Sequence, residues 1–497
     1  MSLNRSSTPD LASRPRVSSP QVYDLYADLF SNQTAVEPVP EAVPASTPMP
    51  RPRELTKGQV APAPPPRSPL TLADSGLSMG QLCDLVLKTL YVQGVLQGSD
   101  LSRSTRLPFA ILDESLRVLR DQKLVEVASG DVVGRISYRF ALTEMGRARA
   151  RDSFENCRYV GPAPVPLEQY IEHCRLQHVT GTPCTSAALR SAFQDFVVQP
   201  EMLDELGPAV CSGKSIFVHG PPGNGKTVIA KGLGRFLNTF GGEIYVPYAI
   251  LAENSIITVY DPGIHQTTDD ADLSQRGFAT GSNEQSSYVV HDGPVDLRWR
   301  RIKRPVVVTG GELSLDMLEL QYSKTANYYN APLHIKANGG VFLIDDFGRQ
   351  IVRPKDLLNR WIVPLEERVD YLTLATGRKF MLPFEQLIIF STNLDPKDLV
   401  DDAFLRRIKH KIRINPPTRD LYTSIFQMVC SQRDIPYDES TVSSLFQKYY
   451  DQGRTPRSSD PRDLIDMAQS ISRYRERPIA LTAELVDECA RRFFGEI

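Results

Sequence analysis

Residues Gly220, Pro221, Pro222, Gly223, Asn224, Gly225, Lys226 and Thr227 follow the spacing G-x-x-x-x-G-K-[ST]. That spacing lets backbone N–H groups turn inward around a phosphate. The apolar run Ser215–His219 before it reads as a buried strand, and Val228–Leu237 after it reads as a helix. The loop therefore opens a helix N-terminus, where the peptide dipoles favour an anion. In this setting Lys226 is expected to neutralise β- and γ-phosphate oxygens and Thr227 to ligate Mg2+, with the binding set running on to Val228. The alternative, a glycine turn with an incidental lysine, is disfavoured by the strand before it and the helix after it.

A second apolar run, Val341–Ile344, ends in Asp345-Asp346, the pattern of a Walker B element. An acid at a strand end beside a phosphate loop can hold the water shell of Mg2+, and a second acid can polarise an attacking water. Asp345 is assigned the first role and Asp346 the second. A third run, Leu387-Ile-Ile-Phe-Ser-Thr-Asn393, is a strand that ends in an amide. These motifs, in this order, make residues 200–497 resemble the AAA+ ATPases.

The resemblance implies ATP and Mg2+ as ligands, and it implies roles for four more residues. Asn393 would be sensor 1, between the water and the γ-phosphate. Arg406 and Arg407, in Asp402-Ala-Phe-Leu-Arg-Arg-Ile408, are both candidates for the arginine finger, and the sequence does not choose between them. Arg462, in Asp460-Pro-Arg-Asp-Leu464, would be sensor 2, reaching the nucleotide from a helical lid. An arginine finger serves a neighbour's nucleotide, so a homo-oligomeric ring, by family habit a hexamer, is expected. Asp346 departs from the commoner Glu and is one methylene shorter, which implies slow hydrolysis or the need for a partner. The segment GGVFLIDDFGRQ and the region before the core also resemble a little-characterised bacterial branch of predicted ATPases, implying chaperone-like remodelling of an unknown protein partner.

Around these motifs the expected fold class is α/β. A P-loop AAA+ core (201–416) with a parallel sheet carries a C-terminal helical lid (417–497). A connector (157–200) and a small winged-helix-like α+β domain (77–156) precede it. The latter rests on helices near 79–91, 99–105 and 108–122, strands 124–128 and 136–142 around Ser129-Gly130-Asp131, and a helix over 147–154. Residues 1–76 hold 14 of the 38 prolines and are expected to be a disordered tail. Within it, Val22, Tyr26, Leu29 and Phe30 share a helical face in the segment 21–30, which suits docking in a partner's groove. The long interval between Lys226 and Asp345 implies an insertion at about 250–335, polar and mobile from Gln266 to Ser287.

Charge bears on partners. Lys plus Arg number 57 against 59 Asp plus Glu, a net charge of -2, so bulk attraction to nucleic acid is not expected. Two local features keep nucleic acid open as the lesser alternative. Arg298-Trp-Arg-Arg-Ile-Lys-Arg304 joins five cations to an aromatic, although such runs are usually solvated edges. The winged-helix-like region invites a DNA-binding or transcriptional reading. Its 11 basic and 10 acidic residues, with Asp113 and Glu114 opening the presumptive recognition helix, favour protein instead, although Arg103, Arg106, Arg117 and Arg120 could compensate in part. Tyr245, Tyr248 and Tyr260 suit either a polypeptide-gripping loop or core packing. The seven scattered cysteines form no C-x-x-C pair, and no run is long and apolar enough for a membrane span. A cytoplasmic, non-membrane protein is expected.

Overall fold

The computed structural model describes residues 63–129, 134–268, 295–399 and 405–495. The Tyr23–Phe30 segment, the Gly130-Asp131 turn and most of the stretch Gln266–Ser287 lie outside them. No helix among the described residues is long and apolar enough to cross a membrane.

Five short strands make the central sheet: β1 (Ile216–His219), β2 (Val306–Thr309), β3 (Val341–Ile344), β4 (Leu387–Thr392) and β5 (His410–Arg413). All pair in parallel, in the order β2-β3-β4-β1-β5. A parallel sheet is covered on both faces, which is why the central strands read as unbroken apolar runs. Alternate residues serve opposite cores. Ile216, Val218, Val341, Leu343, Leu387 and Ile389 pack with the helix Lys226–Phe240. Phe217, Phe342, Ile344, Ile388 and Phe390 pack around Trp361 on the other side. In register, Ile344 lies opposite Phe390 and Thr392 opposite His219. The loops after β1, β3 and β4 therefore emerge side by side at one edge.

The C-terminal helices Arg419–Gln432, Glu439–Leu445, Asp460–Tyr474 and Ala483–Phe494 enclose a core of their own around Tyr422, Phe426, Leu464 and Ile465. The sheet and this lid agree with the expected α/β class.

Ahead of the sheet, helices Met79–Gln93, Gly98–Thr105 and Phe109–Asp121 pack with a three-stranded antiparallel sheet and the helix Glu144–Asn156. The last helix starts before the expected Arg147 because Thr143 Oγ1 accepts from Gly146 N at 3.0 Å. Residues Arg135–Ser137 form a short 3-10 turn where strand was expected, and the strand is Arg139–Leu142. The stretch 157–200 carries helices Leu167–Leu176 and Ser186–Ala192, and its strand Val165–Pro166 pairs with Ala249–Ala252. That pairing makes it the edge of a second five-stranded sheet formed largely by residues 249–330.

In the basic stretch 298–304, weighed as a solvated edge with nucleic acid as the lesser alternative, Arg298, Trp299 and Arg304 are buried, while Arg301 and Lys303 stay exposed. Arg298 is 1 % exposed and Trp299 6 %, with the indole against His173 at 4.8 Å between centroids. Arg304 is buried and donates to the carbonyls of Gly241, Gly242, Gln177 and Gly339. Arg301 pairs with Glu243. The tyrosines follow the packing alternative: Tyr248 packs on Tyr260 at 5.2 Å, and Tyr260 stacks on His265 at 5.7 Å.

Arg298 joins three segments. Its guanidinium grips the buried Asp296 carboxylate at 2.8–3.1 Å and donates to Ser75 O (2.8 Å) and Pro164 O (3.3 Å), while Asp296 N donates to Pro66 O (2.8 Å). Truncation would strand a buried carboxylate. Arg298→Ala is expected to lower the free energy of unfolding in urea by about 3–5 kcal/mol, and a loss under about 1 kcal/mol, the range of a surface ion pair, would show that this junction is not a fixed part of the fold.

Candidate functional site

The loop after β1 has the conformation that its glycines allow. Gly220 (φ +144°), Gly223 (φ +79°) and Gly225 (φ +82°) all have positive φ. At Gly220 a Cβ would come within 2.2 Å of Ile414 O, and at Gly223 within 2.8 Å of Ser459 Oγ. Gly225 caps the 15-residue helix Lys226–Phe240. Its first N–H groups thus face the same concavity as the loop.

A continuous polar cluster fills that edge of the sheet. Lys226 Nζ donates to Gly220 O (3.0 Å), Pro221 O (3.0 Å) and Asn393 Oδ1 (2.6 Å). Asn393 Nδ2 in turn donates to Asp346 Oδ1 at 2.8 Å. Thr227 Oγ1 donates to Asp345 Oδ2 at 2.7 Å, and Ser391 Oγ donates to Asp345 Oδ1 at 2.7 Å. Burial pushes the Lys226 ammonium below the usual lysine range, against the opposite pull of Asp345 and Asp346. Ser391 had escaped the sequence reading. Its signal was a hydroxyl directly after the apolar run Leu387–Phe390, two places before Asn393.

The cluster forms the floor of a cavity of about 720 Å³. Pro222 through Val228, both acids and Asn393 line one side. The other side is apolar, with Phe196, Val197 and Val198 ahead of the helix Pro200–Ser212 and Leu421, Ile425 and Met428 from the lid. None of these six had been predicted, because an apolar wall carries no motif. The lid also contacts the loop directly: Ser458 N donates to Asn224 Oδ1 (3.0 Å) and Ser459 N to Gly223 O (2.9 Å). Arg462, on the first turn of Asp460–Tyr474, lines the same cavity with a largely exposed side chain. A phosphate loop on the fourth of five parallel strands, two acids and an amide on the neighbouring strand ends, and a helical lid across the gap decide the fold. The core is AAA+.

Arg406 and Arg407 do not join this cavity. They line a separate surface hollow with Lys214, Leu365, Glu366 and Lys409, and Arg407 Nε is 2.7 Å from Glu366 Oε1. Residues 402–404 of the same segment lie outside the described residues.

Residues 418–492, the lid, match a family model described as a domain of unknown function (DUF8689). No curated protein matches the sequence. Among solved structures the chain is similar to the RuvB Holliday junction branch migration motor of Thermotoga maritima, at 14% identity, with 61% of this chain and 73% of that one covered and a TM-score of 0.32. It is also similar to domain III of the Thermotoga maritima replication initiation protein DnaA (13% identity, 63% and 100% covered, TM-score 0.33). NtrX from Brucella abortus stands at 12% identity, 62% and 54% covered and a TM-score of 0.33.

Gly220 offers a local test of the loop. Gly220→Ala would drive a Cβ into the Ile414 carbonyl, an overpacking worth about 1–3 kcal/mol. Retention of a fluorescent ATP analogue should fall by about tenfold or more. Gly80→Ala, where an added Cβ meets nothing within 4 Å, should leave it unchanged. Equal retention by both variants would contradict the need for glycine at 220.

Proposed function

We propose that this chain is an ATPase that couples hydrolysis to remodelling a protein partner within a homo-oligomeric ring, by family habit a hexamer, in the cytoplasm. The observation that carries the ATPase reading is the unbroken chain Lys226–Asn393–Asp346 beside Thr227–Asp345–Ser391. It sets one cation, one amide and two carboxylates around a helix N-terminus.

In this reading Lys226 exchanges its carbonyl acceptors for β- and γ-phosphate oxygens. Asn393 then orients the water that Asp346 polarises, and the apolar wall of Phe196–Val198, Ile425 and Met428 receives the base. Arg462 reaches the phosphates from the lid. The donor set of one hydroxyl and one carboxylate 2.7 Å apart fits Mg2+, which takes most of its ligands from phosphate and water. Bound there by Thr227 and, through its water, by Asp345, Mg2+ would neutralise charge on the phosphates.

A protein partner is favoured over DNA by the state of the cations on the N-terminal module. Asp113 engages both Arg117 (3.2 Å) and Arg135 (2.8 Å), and Asp100 engages Arg103 (3.0 Å). Two of the four arginines that could have offset the acidic helix start are thus already paired. The seven cysteines, all free thiols, suit a reducing compartment.

Two outcomes separate binding from turnover. Lys226→Ala should abolish ATP binding. Asp346→Asn should keep ATP affinity within about threefold while lowering kcat by about 10²–10⁴. An Asp346→Asn enzyme with native turnover would remove the water-polarising role.

The finger concerns neighbouring subunits. Arg406→Ala or Arg407→Ala should reduce hydrolysis with little change in ATP affinity, because a cation supplied in trans stabilises charge that develops in the transition state. Mixing either with Lys226→Ala subunits should restore part of the activity, since one partner brings the loop and the other the finger. If no mixing ratio restores any rate, the shared site is wrong.

A further inference from the structure

A second cavity, of about 370 Å³, lies on the seam between the N-terminal module and the second sheet, and the ATPase reading makes no use of it. Its walls come from helices Met79–Gln93 and Glu144–Asn156 on one side and from strands Ala249–Ala252, Ser255–Thr258 and Tyr328–Asn330 on the other. The volume falls in the range of small-molecule sites, which favour boundaries between modules.

Lys88 is the group that needs explaining. It lines the cavity yet is only 4 % exposed, and its ammonium donates to Cys157 O at 3.1 Å, with the Cys157 thiol also beside it. That bond caps the C-terminus of the helix Glu144–Asn156, so part of the ammonium's donor capacity serves a structural role. The nearby carboxylate is engaged elsewhere. Asp84, one turn earlier, accepts from Ser153 Oγ (2.8 Å) and Arg149 Nη2 (3.4 Å). Burial pushes the Lys88 ammonium below the usual lysine range, against the opposite pull of Cys157 and Asp84. A buried cation whose donors are only partly engaged is costly unless something completes it.

We infer that this seam cavity binds a small monocarboxylate with an apolar body, its carboxylate on Lys88. A single negative charge suits the site because Asp84 would repel a dianion. Leu85, Leu251, Ile256 and the ring of Tyr329 supply apolar walls, and Tyr329 is fixed by a hydrogen bond from Ala375 N at 2.9 Å. The two sides already touch through Gln81 Nε2 and Asn254 Oδ1 (3.2 Å) and through Arg158 N and Ala326 O (2.8 Å). A ligand held by both walls would tighten that junction and so act as an effector of the module's attachment to the motor. The inference stands whether or not the nucleotide site turns over.

The test is calorimetric titration of the full chain with N-acetyl-phenylalanine and N-acetyl-leucine, their amides, and tetrapeptides with the same C-terminal residues. Both acids and peptides deliver the carboxylate, and their relative affinities distinguish a free metabolite from a chain terminus. Saturable binding by an acid or a free-ended peptide is expected, weakened by about tenfold or more in the amide and in Lys88→Met. Leu251→Trp, which fills the cavity and leaves Lys88 in place, should also abolish it, so the result does not depend on one variant's folding. Lys226→Ala should bind the acid as the native chain does. Absence of binding by every acid and peptide overturns the proposal, as does equal binding by acid and amide or unchanged affinity in Leu251→Trp.

Discussion

The Asp345 carboxylate is the joint on which the candidate site depends. One oxygen accepts from Thr227 Oγ1 on the helix after β1, and the other from Ser391 Oγ on β4, each at 2.7 Å. The acid itself ends β3. Three separate chain segments are thereby fixed to one planar group, whose two oxygens point at once toward the loop and toward the amide-bearing strand. This works only because the strands are parallel and in register, so that Thr392 stands opposite His219 and Ile344 opposite Phe390. A shift of one residue in β4 would turn Ser391 to the other face and leave Asp345 half-satisfied.

The lid is coupled to the same point through backbone rather than through apolar contact alone. Asp460 is 2 % exposed and accepts from Arg457 N (3.0 Å) and Tyr450 Oη (2.9 Å), and Tyr450 Oη meets Tyr422 Oη at 3.0 Å. Burial raises the Asp460 carboxyl above its usual range, opposed by the Arg457 N–H and by Tyr450. That buried network holds residues 457–459 in the turn whose N–H groups meet Asn224 and Gly223. Movement of the phosphate loop therefore reaches the lid through two short hydrogen bonds, and Arg462 stands just beyond them.

Residues constrained by backbone chemistry were legible before the fold was known. The glycines of 220–225, the acid pair and Asn393 announce themselves because few other residues could stand there. The apolar strands were legible because a sheet covered on both faces leaves no room for alternation. Sequence reasoning failed where a residue's role depends on what folds against it. Phe196, Val197 and Val198 look like any apolar run until the lid closes over them. Arg298 and Arg304 look like a cationic edge, and only the buried carbonyls and carboxylate around them reveal a structural duty. The stretch 157–200, read as a connector, contributes Tyr170 and Cys174 to the core of the second sheet through contacts that no local pattern encodes.

The short acid at position 346 also has a structural cause. After β3 the chain must reverse sharply, because Phe347 is fully buried between Phe217 and Phe390 and its N–H bonds Ser391 O at 2.6 Å. The reversal places Asp346 at φ +49°, a left-handed conformation in which Asp is several-fold commoner than most side chains. From that backbone a two-carbon side chain already meets Asn393 Nδ2 at 2.8 Å. A glutamate would carry its carboxylate one methylene further and would suit the left-handed turn less well. Sequence alone suggests a shortened and weakened acid. In the structure the short side chain and the tight turn belong to one arrangement, which brings the Asp346 carboxylate directly onto Asn393.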